Sequence, residues 1–235
     1  MSRMFPFITT NHKKSGDTWN PLAGECQHNC CYCWAKNLAE KYNMTKYQGY
    51  PRLDIKELHR TQNEFTEKDF VFACDMTDLF GEWVPEKAII EILTAISMSE
   101  AKYLLLTKNP KRYSEFTLPK NCVAGATIEC DMNFQIAGCK APTPYQRLEE
   151  MAKLKHPEKM VSIEPIMNYT QNFLYKLLAI KPDFVAVGYD NYDNKLAEPY
   201  LARTTGLIQC LEQEGIKVYR KTLREKWNDE VKKQR

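Results

Sequence analysis

Gly24-Glu25-Cys26-Gln27-His28-Asn29-Cys30-Cys31-Tyr32-Cys33-Trp34 holds four of the chain's nine cysteines. An odd total, unevenly spread, behind an N-terminus (Met1-Ser2-Arg3-Met4-Phe5-Pro6) without a signal-peptide core argues against a disulfide framework. In a reducing compartment such a cluster binds metal or an iron–sulfur centre more often than it forms disulfides. Cys26, Cys30 and Cys33 follow a Cys-x3-Cys-x2-Cys spacing, and a compact loop can turn three such thiolates toward one cubane face. Three protein ligands leave the fourth iron free to bind something else. The alternative is a closed zinc site with His28 or Cys31 as fourth ligand, although the usual second cysteine pair is missing. A plain electron-transfer cluster would normally use four cysteines. Cys31, adjacent to a ligand, should point elsewhere and reads as a small buried residue.

Downstream, short apolar or β-branched runs recur at Phe70–Cys74, Tyr103–Leu106, Cys122–Ile128, Met160–Ile163, Phe184–Val187 and Ile216–Tyr219. They carry almost no charge, as expected of strands buried on both faces. Helical patterns lie between them. Pro85 reads as a first helical residue, with Ile89, Ile92, Leu93 and Ile96 sharing a face. Thr143 and Gln146 form a capping-box pattern around Pro144, with Tyr145, Leu148 and Met151 on one side. Phe173, Leu174, Leu177 and Leu178 fit another helix. Leu201, Ile208 and Leu211 fit the last, with Gly215 at its C-cap. With a further strand near Thr18–Leu22, the alternation predicts an α/β fold with a mostly parallel sheet, either a partial barrel or an open doubly wound sheet. Ligands in both lie at the carboxyl ends of the strands. The organisation reads as an N-terminal arm over 1–17, the α/β domain over 18–220 and a basic tail over 221–235.

At 235 residues, 43% hydrophobic and 27% charged, the chain suits one globular domain and not a collagen-like or low-complexity polymer. Apolar runs such as Tyr103–Thr107 fall far short of the roughly 18 residues of a membrane span, so a cytoplasmic protein with no membrane partner is expected. The net charge of +3 is uneven: Ile216–Arg235 carries eight Lys or Arg against three Asp or Glu. That stretch is either a solvated helix face or a patch for a polyanion such as nucleic acid or a nucleotide.

The cysteine spacing, its place after a first strand, Tyr32 before the third cysteine and the βα repeats together resemble the radical S-adenosylmethionine (AdoMet) superfamily over most of the chain. Thr18-Trp19-Asn20-Pro21, Met76-Thr77-Asp78-Leu79-Phe80, Leu106-Thr107-Lys108-Asn109-Pro110 and Ser162-Ile163-Glu164-Pro165 further resemble a phage- and prokaryote-associated branch whose reaction is unassigned. The resemblance implies a partial (β/α)6-type barrel with the cluster-binding loop after the first strand. It implies a 4Fe–4S cluster on Cys26, Cys30 and Cys33, with AdoMet chelated by the open iron. Reductive cleavage of AdoMet would yield a 5′-deoxyadenosyl radical that abstracts hydrogen from substrate. An external flavodoxin- or ferredoxin-like protein would donate the electron. Tyr32 occupies the position that lies near the adenine in the superfamily.

The strand ends supply the other candidates for cofactor binding. Thr77 and Asp78 stand where the superfamily often has a Gly-Gly-Glu-like stretch that contacts the methionine amino group; here that stretch is missing, and a helix cap or turn is the plain alternative. Lys108 could pair with a cofactor carboxylate or an anionic substrate. Thr127 and Glu129 fit the ribose hydroxyls or the methionine. Ser162 and Glu164 end the next strand, where an acid is costly to bury without a partner. Gly188 and Tyr189 follow, the glycine allowing close backbone approach to a ring such as adenine. Cys74 and Cys130, both at strand ends, are candidate hydrogen-atom donors, and Cys122, Cys130 and Cys139 are candidates for a second cluster.

The favoured substrate class is nucleic acid or a nucleotide, with a peptide or protein as runner-up. The chain is short, so a large substrate or a partner protein would have to cover the open side of the barrel. The rival readings are a non-catalytic, metal-stabilised nucleic-acid-binding module and a degenerate radical protein that binds AdoMet without turnover.

Overall fold

The computed structural model describes residues 5–10, 18–60 and 64–226. The first strand, β1 (Thr18–Trp19), leads through the cysteine loop into α1 (Trp34–Lys41). A small antiparallel pair, β2 (Leu22–Ala23) with β3 (Arg52–Leu53), and a short helix α2 (Ile55–Leu58) complete this excursion. Regular alternation follows: β4 (Phe70–Ala73), α3 (Glu86–Ser97), β5 (Lys102–Thr107), a 3-10 turn at Pro110–Glu115, β6 (Cys122–Thr127), α4 (Pro144–Lys153), β7 (Lys159–Ile163), α5 (Phe173–Ile180), β8 (Phe184–Val187), α6 (Leu201–Gln213) and β9 (Lys217–Arg220).

The main sheet has seven strands in the order β1-β4-β5-β6-β7-β8-β9, every neighbouring pair parallel. Strand order follows chain order without reversal. That excludes the doubly wound arrangement, which needs a switch point, and gives the partial-barrel type; β1 and β9 do not pair, so the barrel is open.

The helices form where the spacing demands. α3 buries Ala88, Ile89, Ile92, Leu93 and Ile96 on one face, and each Ile contributes roughly 1.5–3 kcal/mol by leaving water. Pro85 is its N-cap, one residue outside the helix. α4 begins at the expected capping box, Thr143 with Gln146, with Pro144 at its first position. α6 ends at Gln213 with Glu214 as its C-cap, and Gly215 follows at φ 80, in the left-handed region that favours glycine.

Two cores flank the sheet. Val71, Tyr103, Leu105, Ala124, Val161, Val185 and Val187 face the helices. Phe72, Leu104, Val123, Met160 and Ala186 face the concave side, where they meet Phe5 and Ile8. Residues 5–10, inside the segment expected to be an arm, therefore line the barrel interior. Thr9 pairs with Phe70 in an antiparallel bridge, and the Phe7 ring touches Phe70, Phe184 and Tyr219, so it joins β4 to β8 and β9. The rest of that segment, 1–4 and 11–17, and the end of the basic tail, 227–235, lie outside the described residues. Among the described residues no helix is long and apolar enough to cross a membrane.

Candidate active site

Because strand side chains alternate, the concave face continues upward from Leu104, Gly125, Met160 and Ala186 to Leu106 and Lys108, Thr127, Ser162 and Glu164, and Gly188. A cavity of about 520 Å³ opens there. Cys26, His28, Cys30, Tyr32 and Cys33 line one side of it. Cys74, Asp75, Thr77, Asp78, Lys108, Thr127, Ser162, Glu164 and Lys221 line the rest, and Phe5 reaches it from below. Most of the sequence-derived candidates thus share one chamber.

The cysteine loop is held from both sides. Asp78, buried at 7% exposure, accepts from the Thr107 hydroxyl (2.7 Å), the Lys108 and Phe80 backbone N–H groups (2.8 and 3.0 Å) and His28 Nε2 (2.8 Å). Burial opposes its charge, yet the His28, Lys108 and Thr107 hydrogen bonds together hold the carboxyl below its ordinary value. All its acceptor directions are used, so Asp78 fastens the loop to the end of β5. His28 Nδ1 is buried with no hydrogen-bond partner among the described residues, its ring edge-on to Trp83. From the other side, Lys140 N–H donates to His28 O (2.6 Å) and Asn29 Nδ2 to Gly138 O (3.2 Å).

Tyr32 rests on a second buried group. Its hydroxyl donates to Glu129, whose carboxylate pairs with Arg147 at 2.8 Å, both charged side chains at 1% exposure or less. Arg147 also donates to Thr127 O (2.5 Å) and Pro142 O (2.9 Å). Burial works against the Glu129 charge, but Arg147 and then Lys108 outweigh it and hold the carboxyl below its ordinary value. Glu129 is therefore spent on an internal pair behind Tyr32 and does not line the cavity. Arg147 escapes a sequence reading because it sits among polar residues on a helix whose apolar positions already account for its packed face.

Lys108 Nζ lies 5.3 Å from the Tyr32 ring centre. Burial disfavours its charge, but the Cys30 and Glu129 charges more than offset that and raise it. Across the chamber, Lys221 pairs with Glu164 at 2.5 Å, at 8% and 16% side-chain exposure. A Cβ on Gly188 would come within 3.0 Å of Lys221 Cβ and 3.2 Å of Glu164 Oε1, so the absent side chain makes room for this pair. Tyr189 also lines the chamber, while its hydroxyl is held by Pro199 O (3.0 Å) and the Thr204 hydroxyl (2.7 Å) beside α6.

The cysteines divide. Cys26, Cys30 and Cys33 open on the cavity, Cys33 doubling as the N-cap of α1, and burial followed by the Asp78 charge pushes the Cys26 thiol up to about 12. A thiol so enclosed as Cys26 needs a cation beside it to become a thiolate, which a metal centre provides. Among the described residues no three His, Cys, Asp or Glu side chains converge on one ion position, but the donor set suits a cluster: three thiols on one wall, none in a disulfide. Cys74 also borders the cavity, at φ 57. Cys130 is fully buried among Cys139, Ile136 and Met167, outside the cavity wall.

Two expectations need correction. Cys31 is exposed rather than buried. A second cluster on Cys122, Cys130 and Cys139 is excluded, because Cys122 starts β6 and Cys130 lies beyond its end, about 25 Å along an extended chain. Cys139 instead approaches Cys30, Sγ to Sγ 3.2 Å. The described cations of the basic stretch are largely paired: Arg220 with Glu212, Lys221 with Glu164, Arg224 with Glu198.

Asp75, on the chamber wall, gives a pH signature. Burial pushes its carboxyl up from 3.8 to about 6, against hydrogen bonds from Asn20 and Thr18. A raised folded value favours folding at low pH, and that contribution is lost as pH rises through about 6. Asp75→Asn should therefore flatten the fall in stability between about pH 4 and 7, by about 1–2 kcal/mol after allowing for partial exposure. Urea titrations at both ends of that range measure it, and parallel pH profiles for the two proteins would refute it.

An open, singly wound parallel sheet with its chamber at the strand ends defines an α/β protein of the partial-barrel class. The chain belongs to the family described as protein of unknown function DUF5131, which matches residues 9–229. No curated protein matches it. Its fold is similar to that of spore photoproduct lyase mutants. One, with bound AdoMet and dinucleoside spore photoproduct, has a TM-score of 0.54 at 12% identity, over 88% of this chain and 62% of that one. A second has a TM-score of 0.58 at 10% identity, over 94% and 81%. A third has 0.53 at 9%, over 92% and 79%. This chain thus spans less than two thirds of the first of these structures.

Proposed function

We propose that this chain is a radical AdoMet enzyme acting on a nucleic acid or nucleotide. The observation that carries the reading is that the three thiols at Cys-x3-Cys-x2-Cys spacing share one chamber with the polar strand ends of a partial barrel. Cys26, Cys30 and Cys33 would hold the 4Fe–4S cluster, which when bound supplies the electron for reductive cleavage of AdoMet. Tyr32 presents a ring to the adenine, and Glu129 with Arg147 holds that ring from behind. Thr127, Ser162 and Thr77 offer hydroxyls to the ribose and methionine groups. Lys108 supplies a cation for the methionine carboxylate or a substrate anion. Of the two strand-end cysteines, Cys74 borders the chamber and Cys130 does not, so the hydrogen-donor role is assigned to Cys74. The dinucleoside in the similar lyase structure supports the substrate class; the basic stretch supports it less, since Arg220, Lys221 and Arg224 are paired. An external flavodoxin- or ferredoxin-like donor, and a substrate or partner protein over the open barrel side, complete the reading.

Anaerobic reconstitution followed by dithionite and AdoMet tests it. Iron and sulfide uptake with release of 5′-deoxyadenosine is expected, and Cys26→Ala, Cys30→Ala and Cys33→Ala should each abolish it. Lys108→Met should weaken AdoMet binding about tenfold, the worth of one hydrogen bond to a charged group, read by calorimetry on loaded protein. Unchanged affinity would remove Lys108 from the cofactor site.

One observation favours a second reading. His28 has Nε2 on Asp78 and a buried, unpartnered Nδ1, which is how a carboxylate orients a metal-ligating histidine. With the three cysteines it would close a tetrahedral zinc site. Zinc without iron or sulfide in the purified protein would favour this binding module over the enzyme.

A further inference from the structure

Cys139 lies more than a hundred positions beyond Cys30, yet their sulfurs are 3.2 Å apart. A disulfide needs about 2.05 Å, so closing the gap takes about 1 Å of side-chain motion. The loops that carry them are already fastened together by Lys140 N–H to His28 O (2.6 Å) and Asn29 Nδ2 to Gly138 O (3.2 Å), which flank Cys139 on one loop and immediately precede Cys30 on the other. Gly138 at φ 72 gives its loop the turn that brings Cys139 inward. Neither sulfur is engaged in a disulfide with another cysteine. Both are buried, at 8% and 5% exposure, but Cys30 borders the chamber, from which a small oxidant reaches it, and Cys139 does not.

We infer that Cys30 and Cys139 are a thiol pair that a peroxide converts to a disulfide whenever the cysteine loop is without metal. Hydrogen peroxide meets Cys30, its O–O bond breaks, and Cys30 becomes a sulfenic acid with loss of water. The Cys139 sulfur then attacks Cys30, the S–O bond breaks, the S–S bond forms and a second water leaves. Two thiols are oxidised by two electrons and one peroxide is reduced to two waters. A thiol reductant reverses the step. The disulfide rests on geometry alone. Its consequence, that Cys30 is withheld from iron until reduced, rests on the cluster reading above.

The test treats metal-free full-length protein with stoichiometric hydrogen peroxide, blocks the remaining thiols and maps the peptides. A Cys30–Cys139 linked peptide, lost on reduction, should dominate the wild type. It should be absent from Cys139→Ser and persist in Cys31→Ser, whose exposed neighbour is not the partner. Near-ultraviolet circular dichroism shows that the variants are folded, and Cys139→Ala serves if the serine disturbs the loop. Absence of the linked peptide, or a dominant link among Cys26, Cys30 and Cys33, overturns the inference. Iron uptake by oxidised wild type should be largely lost and return on reduction. If the link forms but iron uptake is nil even after reduction, the cluster reading fails while the disulfide stands.

Discussion

Arg147→Ala is expected to lower the unfolding free energy by about 3–5 kcal/mol, the cost of leaving a buried charge without its partner. Glu129 is fully buried, and Arg147 is its main counter-charge. The same guanidinium satisfies Thr127 O and Pro142 O, which would be left without that donor. The pH dependence separates this from a simple packing loss. In the wild type the Glu129 carboxyl is held below its ordinary value, so its contribution is present at neutral pH and lost only as pH falls through that low value. Without Arg147, burial dominates and the carboxyl rises above its ordinary value. The variant should then recover part of its deficit on acidification and lose it again as pH rises. Replacing both partners, Arg147→Met with Glu129→Gln, should cost less than the two single changes summed. Urea denaturation at about pH 5 and 8 measures both effects. A deficit under about 1 kcal/mol, or one that does not change with pH, would show that the pair contributes little.

Asp78→Asn is expected to cost about 2–4 kcal/mol, because hydrogen bonds to a charged group are worth about 1.5–3 kcal/mol each. The carboxylate accepts four hydrogen bonds, while an amide has one acceptor oxygen and would turn its NH₂ toward N–H donors that cannot accept. The loss should be largest in the cysteine loop, since His28 lies between Cys26 and Cys30. Hydrogen exchange should rise at residues 26–33 more than in β6, and reconstituted protein should lose its iron faster than wild type. Uniform exchange across the chain, with iron retained, would make Asp78 a general stabiliser and not the fastening of the loop.

What could be read from sequence follows from how locally each feature is encoded. Buried parallel strands announce themselves as short apolar runs, so β4 to β9 fell within a residue or two of their expected places. The period of two then put Lys108, Thr127, Ser162 and Glu164 on one face without further information. Thr143 and Gln146 fixed the start of α4 because a capping box is a local hydrogen-bond pattern. Strand order was another matter: each βα unit reads the same in a singly or doubly wound sheet. The pairs that shape the site, Glu129 with Arg147, His28 with Asp78 and Cys30 with Cys139, join residues distant in sequence, and neither member of a pair signals its partner. Charge composition likewise counts Lys221 and Arg224 without counting Glu164 and Glu198, which meet them only after folding.

The rings of Phe5 and Phe7 bear on the order in which the protein is made. During synthesis they leave the ribosome well ahead of Phe7's neighbours Phe184 and Tyr219 and Phe5's neighbour Lys221, with β4 to β7 made in between. Until then the lining is partial, since Phe5 and Phe7 can meet only Phe72 and Phe70 of β4. Early strands can pair as they appear, but the barrel interior is finished only when residues 5–7 meet β8 and β9. A nascent chain halted before β8 should therefore present a sticky, chaperone-binding face that the completed protein does not have.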